Sequence, residues 1–196
     1  MSYAEPADLF SWMGIPGDAG QKSMIATTVL TAASRRVDRI CGRTFTPQSF
    51  SNPVEYTFNQ PISAHLLLLK RDLYNLVKIE EAGADVPLGH ALAETFASTD
   101  GFPIRGFYRV EEGGQRAMWR SPVKVTGLWG WEHVPEGVRQ ATLMLGARLY
   151  RRAFSPLGIV SSGDAEQVYA DSSVMVPRWD SDIMDLIRDY CVGRVY

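Results

Sequence analysis

The side chains best able to do chemistry in this chain are few and scattered. The three histidines, His65, His90 and His133, stand apart from one another, and no HxxxH, HExxH or CxxC spacing occurs that would set metal ligands on one helix or turn. Cys41 and Cys191 are 150 positions apart and lack the spacings of zinc sites or disulfide-rich frameworks, so both read as reduced core thiols. Ser161-Ser162-Gly163 is not a hydrolase elbow, and the glycines of GLWGW match neither a phosphate loop nor a dinucleotide fingerprint. The acidic pairs Glu80-Glu81 and Glu111-Glu112 offer carboxylates for acid/base work. Neighbours on a strand point to opposite faces, however, so they fit solvated edges or turns better than a converging site. The inventory points away from an enzyme and from any cofactor or metal.

Arginine carries more information. The 20 basic residues divide into 16 Arg and 4 Lys. The planar guanidinium binds carboxylates through two parallel hydrogen bonds, and arginine is enriched at protein interfaces where lysine is depleted. Arg35-Arg36 with Arg39 and Arg43, and Arg148 with Arg151-Arg152, form two local basic groups on expected helices. They suit acidic partners on a neighbouring subunit, or phosphate if the chain is a DNA-binding module. A net charge of −2 favours the first reading, because coating nucleic acid normally needs a clear basic excess.

These residues need elements to hold them. Ala7, Leu9, Phe10, Trp12 and Met13 recur at helical spacing until Gly14 and Pro16 stop the run. A long helix is expected over about 19–41, capped by Asp18 and ended by Gly42, with Ile25, Val29, Ala32, Ala33, Val37 and Ile40 on its buried stripe. From 44 to 126 the pattern turns to short β-rich runs, VEYTF, HLLLLK, LVKIEE, GFYRV and VKVTG, which suggest an antiparallel sheet inserted between helices. Helical period returns after Pro135 and runs to about 153 through Val138, Ala141, Thr142, Leu145 and Leu149, with Gly146 allowing another backbone close. The stretch 155–176 lacks strong periodicity, and a last short helix over 180–191 carries Ile183, Leu186, Ile187 and Tyr190 on one face. A helix that short needs a docking surface.

The 196 residues are 45% hydrophobic and 21% charged, a globular composition with enough chain for a substantial core. The opening MSYAEPADLFSWMG lacks the basic start and apolar run of a secretory signal, and the longest apolar run, LLLL, is far short of the ~20 residues a bilayer needs. No membrane role and folding in cytoplasm are therefore expected.

The order of elements resembles something specific. A short helix ending MGIPG, a long helix ending RRVDRICGRTF and a β-rich middle lead into KVTGLWGWEHVPEGVRQATLMLGARLYRRAFSPLGIV. This resembles the head-tail connector, or adaptor, proteins of long-tailed bacteriophages and gene transfer agents. The residues carrying the likeness are Val125, Gly127, Gly130 and Trp131, then Val134, Pro135, Val138, Arg139 and Ala141, then Leu149 to Arg152 and Ser155-Pro156-x-Gly158.

The resemblance implies an α+β fold. A helical connector core over 1–43 and 127–154, made of two long helices with short N- and C-terminal helices, would carry an inserted antiparallel β-rich region over 44–126 and an arm with a terminal helix over 155–196. It further implies a non-enzymatic virion protein at the head-tail interface, assembled in host cytoplasm. The subunits would form a ring, usually dodecameric, beneath a portal protein. That ring extends the channel for genomic DNA, which passes without sequence-specific binding, and offers a docking surface to a stopper or tail completion protein. On that reading Ile183, Leu186, Ile187, Tyr190 and Tyr196 are candidates for portal docking, and Arg35, Arg39, Arg148, Arg151 and Arg152 for subunit contacts.

Overall fold

The computed structural model describes residues 2–16, 20–46, 52–59, 65–94, 101–154 and 181–192. They fall into two units: residues 1–44 with 135–196, which is helical, and residues 45–134, which holds the sheet.

In the helical unit, α1 (Pro6–Met13) starts with the Glu5 N–H donating to Asp8 Oδ2 at 3.1 Å and stops at Gly14, whose φ of 66° is left-handed. Helix α2 (Gln21–Cys41) follows Gly20 as its N-cap; the expected cap, Asp18, lies outside the described residues. Its buried positions are Ala26, Leu30, Ala33, Ser34, Val37 and Cys41; Ala33 and Val37 are as expected, and the rest of the stripe is turned by one residue, toward Leu30 and Cys41. Ile25 and Val29 pack only partly, and Ala32 is exposed. Ser34 explains the shift. Its hydroxyl donates to the Leu30 carbonyl at 2.9 Å and accepts the Tyr3 N–H at 3.0 Å, so a polar side chain sits fully buried where an apolar one was sought.

Helices α3 (Glu136–Phe154) and α4 (Ser181–Ile187) complete the unit. The Pro135 carbonyl accepts the first helical bond of α3, from Arg139 N–H at 3.0 Å. Leu9, Phe10, Ala26, Leu30, Leu143 and Tyr150 form one apolar cluster, with Phe10 edge-on to Tyr150 at 5.9 Å. Helix α4 packs on α3 and buries Ile183 and Ile187.

The sheet unit contains β1 (Val54–Phe58), β2 (Leu66–Glu81), β3 (Ala84–Val86), β4 (Ala91–Glu94), β5 (Ile104–Arg109) and β6 (Val123–Trp129). All pairings are antiparallel, in the order β1-β6-β2-β5-β4, with β3 on the end of β2. Two runs expected as separate strands, HLLLLK and LVKIEE, are one strand, β2. Shifts of register between Leu68 and Leu73, Leu73 and Asn75, and Leu76 and Lys78 carry it past the polar Arg71-Asp72 step that reads in sequence as a break. Strand β6 alternates cleanly, pointing Val123, Val125 and Trp129 inward beside Leu67, Leu73, Ile79, Phe107 and Trp119.

The expected architecture, a core of two long helices bearing a β-rich insertion, is not what the chain adopts. The described residues form four α-helices and a six-stranded antiparallel sheet, and about 30% of them are in strands. The segment read as an insertion has enough inward-facing Leu, Ile, Val, Phe and Trp to close its own core. In the helical unit, Leu9 and Phe10 of α1 and Ile183 and Ile187 of α4 are buried as well, so the packing is not confined to the two long helices. Counting strands by short apolar runs understated the sheet, because β3 and β4 are too brief and too exposed to register as runs.

Candidate interaction surfaces

At the β1 edge of the sheet, alternation in VEYTF puts Tyr56 and Phe58 on one face, half-buried between exposed neighbours. Trp129 of the paired strand β6 lies below them, its indole N–H donating to the Val54 carbonyl at 2.8 Å. Tyr56 meets Trp129 edge-on at 4.8 Å, and Phe58 lies 6.4 Å from it. Arg71 reaches across from β2. Its guanidinium stands 5.0 Å from the Tyr56 ring centroid and donates to the Tyr56 hydroxyl at 3.0 Å. With Leu68 and Lys70 these residues line a concavity of about 530 Å³. An apolar aromatic floor with two cations at the rim, beside an edge strand, can hold an extended segment bearing aromatic and acidic side chains. Sequence reading took VEYTF as a strand but drew no surface from it, although the i, i+2 aromatic pair was the available signal.

Elsewhere in this unit, charge holds local geometry. Asp72 receives the Trp131 indole N–H at 3.1 Å and lies 3.7 Å from Arg105, while its carbonyl accepts the Gly130 N–H at 2.8 Å. Trp131, carrying the resemblance motif, is buried between Phe45 at 5.2 Å and Phe102 at 5.7 Å. Gly127, from the same motif, has no room for a side chain: a Cβ there would run into the Asn75 carbonyl oxygen of β2. Glu81 bonds Arg109 at 3.3 Å and the Arg120 N–H at 2.6 Å, so one of the acids considered for catalysis is tied into structure. Its neighbour Glu80 pairs with Lys78 at 2.6 Å, and Lys78 also meets Asp85 at 2.9 Å. Those two carboxylates hold the Lys78 ammonium above the usual lysine range. His65 Nδ1 lies 3.0 Å from the Ala117 carbonyl, and His133 is exposed beside Glu132. Among the described residues, no three His, Cys, Asp or Glu side chains converge as a metal-binding group. None of the described helices is long and apolar enough to cross a membrane.

On the helical unit, Arg35 and Arg39 are exposed one turn apart on α2; on α3, Arg151 and Arg152 are exposed and Arg148 is half-buried. Arg139 bonds Asp8 at 2.9 Å and Glu136 at 3.4 Å, joining α3 to α1. The expected docking face of the last helix is divided. Ile183 and Ile187 are at most 1% exposed and hold α4 to its own chain, whereas Leu186 and Tyr190 remain partly accessible. The surface that this short helix needs is α3, where Gly137 admits the Leu186 carbonyl: a Cβ on Gly137 would lie 2.6 Å from that oxygen. Tyr196 and the stretch 155–180 lie outside the described residues. Sequence reading also kept Cys41 and Cys191 separate, whereas folding sets their sulfurs 3.5 Å apart.

Neither a family model nor a curated protein matches the chain. Its fold is similar to that of a chain in the solved "Neck of empty GTA particle computed with C6 symmetry", with a TM-score of 0.50 and 13% identity over 97% of this chain and 90% of that one.

Proposed function

We propose that the chain is a structural neck protein of a phage-like or gene-transfer-agent particle, acting as a head-to-tail adaptor and performing no catalysis. The observation that carries this reading is the fold shared with a chain of a particle neck over nearly the whole length of both. The resemblance of the KVTGLWGWEHVPEGVRQA stretch to connector proteins supports it independently. In this reading, identical subunits repeat around a closed ring, usually of twelve in such adaptors, through head-to-tail contacts. The exposed Arg35, Arg39, Arg151 and Arg152, with Arg148, would serve acidic patches on the adjacent subunit. The ring would sit under a portal protein, pass genomic DNA without reading its sequence, and receive a stopper or tail completion protein. Portal docking would fall to Leu186, Tyr190 and the segments 155–180 and 193–196, since Ile183 and Ile187 are committed to the helical unit.

Multi-angle light scattering of the purified chain, alone and with a portal protein from the same particle, tests this. A ring-sized mass with or without the portal is expected, and a monomer that ignores the portal would refute the adaptor role. The competing reading is a DNA-binding module built on the exposed arginines. It requires duplex affinity at low salt that falls steeply as salt rises, and that decreases when Arg151 and Arg152 are both changed to Ala. Fluorescence anisotropy across a salt series separates the two.

A further inference from the structure

We propose that Cys41 and Cys191 form a reversible intramolecular disulfide, making the end of α2 and the C-terminal segment a peroxide-responsive site. The two sulfurs are 3.5 Å apart although 150 positions separate them in the chain. Both thiols point at the same acceptor, the Ile187 carbonyl, at 4.0 Å from Cys41 and 3.3 Å from Cys191. Their backbones are pinned together at the same place, because the Val192 N–H donates to the Cys41 carbonyl at 2.8 Å. Gly42, the left-handed C-cap of α2, lies beside Val192, where even a Cβ would meet Val192 Cβ at an ordinary 3.8 Å, so the two segments run close without crowding. Closing to a bonded distance of about 2.05 Å asks for side-chain movement of about 1.5 Å, within what thiol rotation supplies.

The two cysteines have different roles. Cys191 is partly accessible and meets the oxidant, whereas Cys41 is buried. Burial, and next to it the Cys191 thiol, raise Cys41 well above the usual thiol range, so it reacts second. Cys191 loses its proton to solvent, and the thiolate attacks one oxygen of hydrogen peroxide, breaking the O–O bond to give a sulfenic acid and hydroxide. The Cys41 sulfur then attacks the Cys191 sulfur. The S–O bond breaks, and the departing hydroxide takes the Cys41 proton as water. In sum, two thiols and one peroxide give one disulfide and two waters. The link would close a very long loop and fasten the segment just after α4 covalently to the end of α2.

The full-length protein, reduced and then exposed to a slight excess of hydrogen peroxide, should lose both alkylatable thiols and yield one non-reduced peptide pair joining Cys41 to Cys191. Dithiothreitol should restore both thiols. The oxidised form should stay monomer-sized on a non-reducing denaturing gel and melt about 10 °C above the reduced form. Cys191→Ser should melt at the same temperature with and without peroxide. Three results would overturn the proposal: sulfinic acid on Cys191 with Cys41 still alkylatable, disulfides only between chains, or two thiols surviving an excess of peroxide. The peptide map needs no variant, so a poorly folded Cys41→Ser would not obscure the answer.

Discussion

Asp38 and Asp8 belong to the same helical unit and respond to acid in opposite directions. Burial holds the Asp38 carboxyl above the usual aspartate range, opposed by the Tyr3 hydroxyl, which donates to it, and by Arg35. The folded state therefore binds that proton more tightly than the unfolded chain. The resulting stability is complete below the reference value of 3.8 and is lost as pH rises through the folded value. Asp8 is held low, first by the Glu5 backbone N–H and then by Arg139, with burial opposing. Its contribution is present above 3.8 and lost as pH falls through the folded value. In urea titrations from about pH 3 to about pH 7, Asp38→Asn should lose less stability on the way up than the wild type does, and an unchanged slope would refute the assignment. Asp8→Asn should flatten the acid side instead, at a cost of about 0.5–1 kcal/mol at neutral pH, as befits an exposed cap and ion pair.

Close approach of backbones sets the geometry of whole elements, and two helical glycines make it testable. A Cβ on Gly146 would lie 2.8 Å from Leu30 Cδ2, the end of a flexible side chain, whereas one on Gly137 meets the Leu186 backbone oxygen. Gly146→Ala trades a gain in helix propensity of ~1 kcal/mol against a small shift of Leu30 and should be nearly neutral by urea denaturation. Gly137→Ala should cost about 1–3 kcal/mol and speed hydrogen exchange in residues 181–192, because backbone cannot move aside as a side chain can. Ile183→Ala should cost about 2–4 kcal/mol by the same denaturation measurement. Helix α1, the long helices and strands β1 and β6 were legible because period and stop residues agreed, as at Gly14 and Gly42. What escaped had a physical cause in each case. Ser34 hid the true stripe of α2, register shifts joined two runs into β2, and strands β3 and β4 carry no apolar run. The aromatic groove, hinted at locally only by the i, i+2 pair of β1, is completed by Trp129 across 75 positions, and the cysteine pair forms across 150, which no local pattern carries.

At the scale of the molecule, the two units differ in how the chain supplies them. The sheet unit is one continuous stretch, 45–134, whereas the helical unit is drawn from both ends, 1–44 and 135–196. Two strands that pair widely in sequence, β1 and β6, lie within that continuous stretch, so its core needs nothing made later. The main core of the helical unit needs Leu143 and Tyr150 against Leu9 and Leu30, and at the far end of the described residues a hydrogen bond joins Val192 to Cys41. Synthesis therefore imposes a timetable. While the ribosome is still decoding α3, all the described strands have been made, and the first two helices have each other but not α3 to pack on. Proteolysis of nascent chains stalled at successive lengths should find residues 45–134 protected first and α2 protected only after α3 has emerged; protection of α2 in shorter chains would refute the order. Residues 181–192 are made after everything else the helical unit is shown to pack, so a surface built on that unit cannot recruit partners until they have emerged.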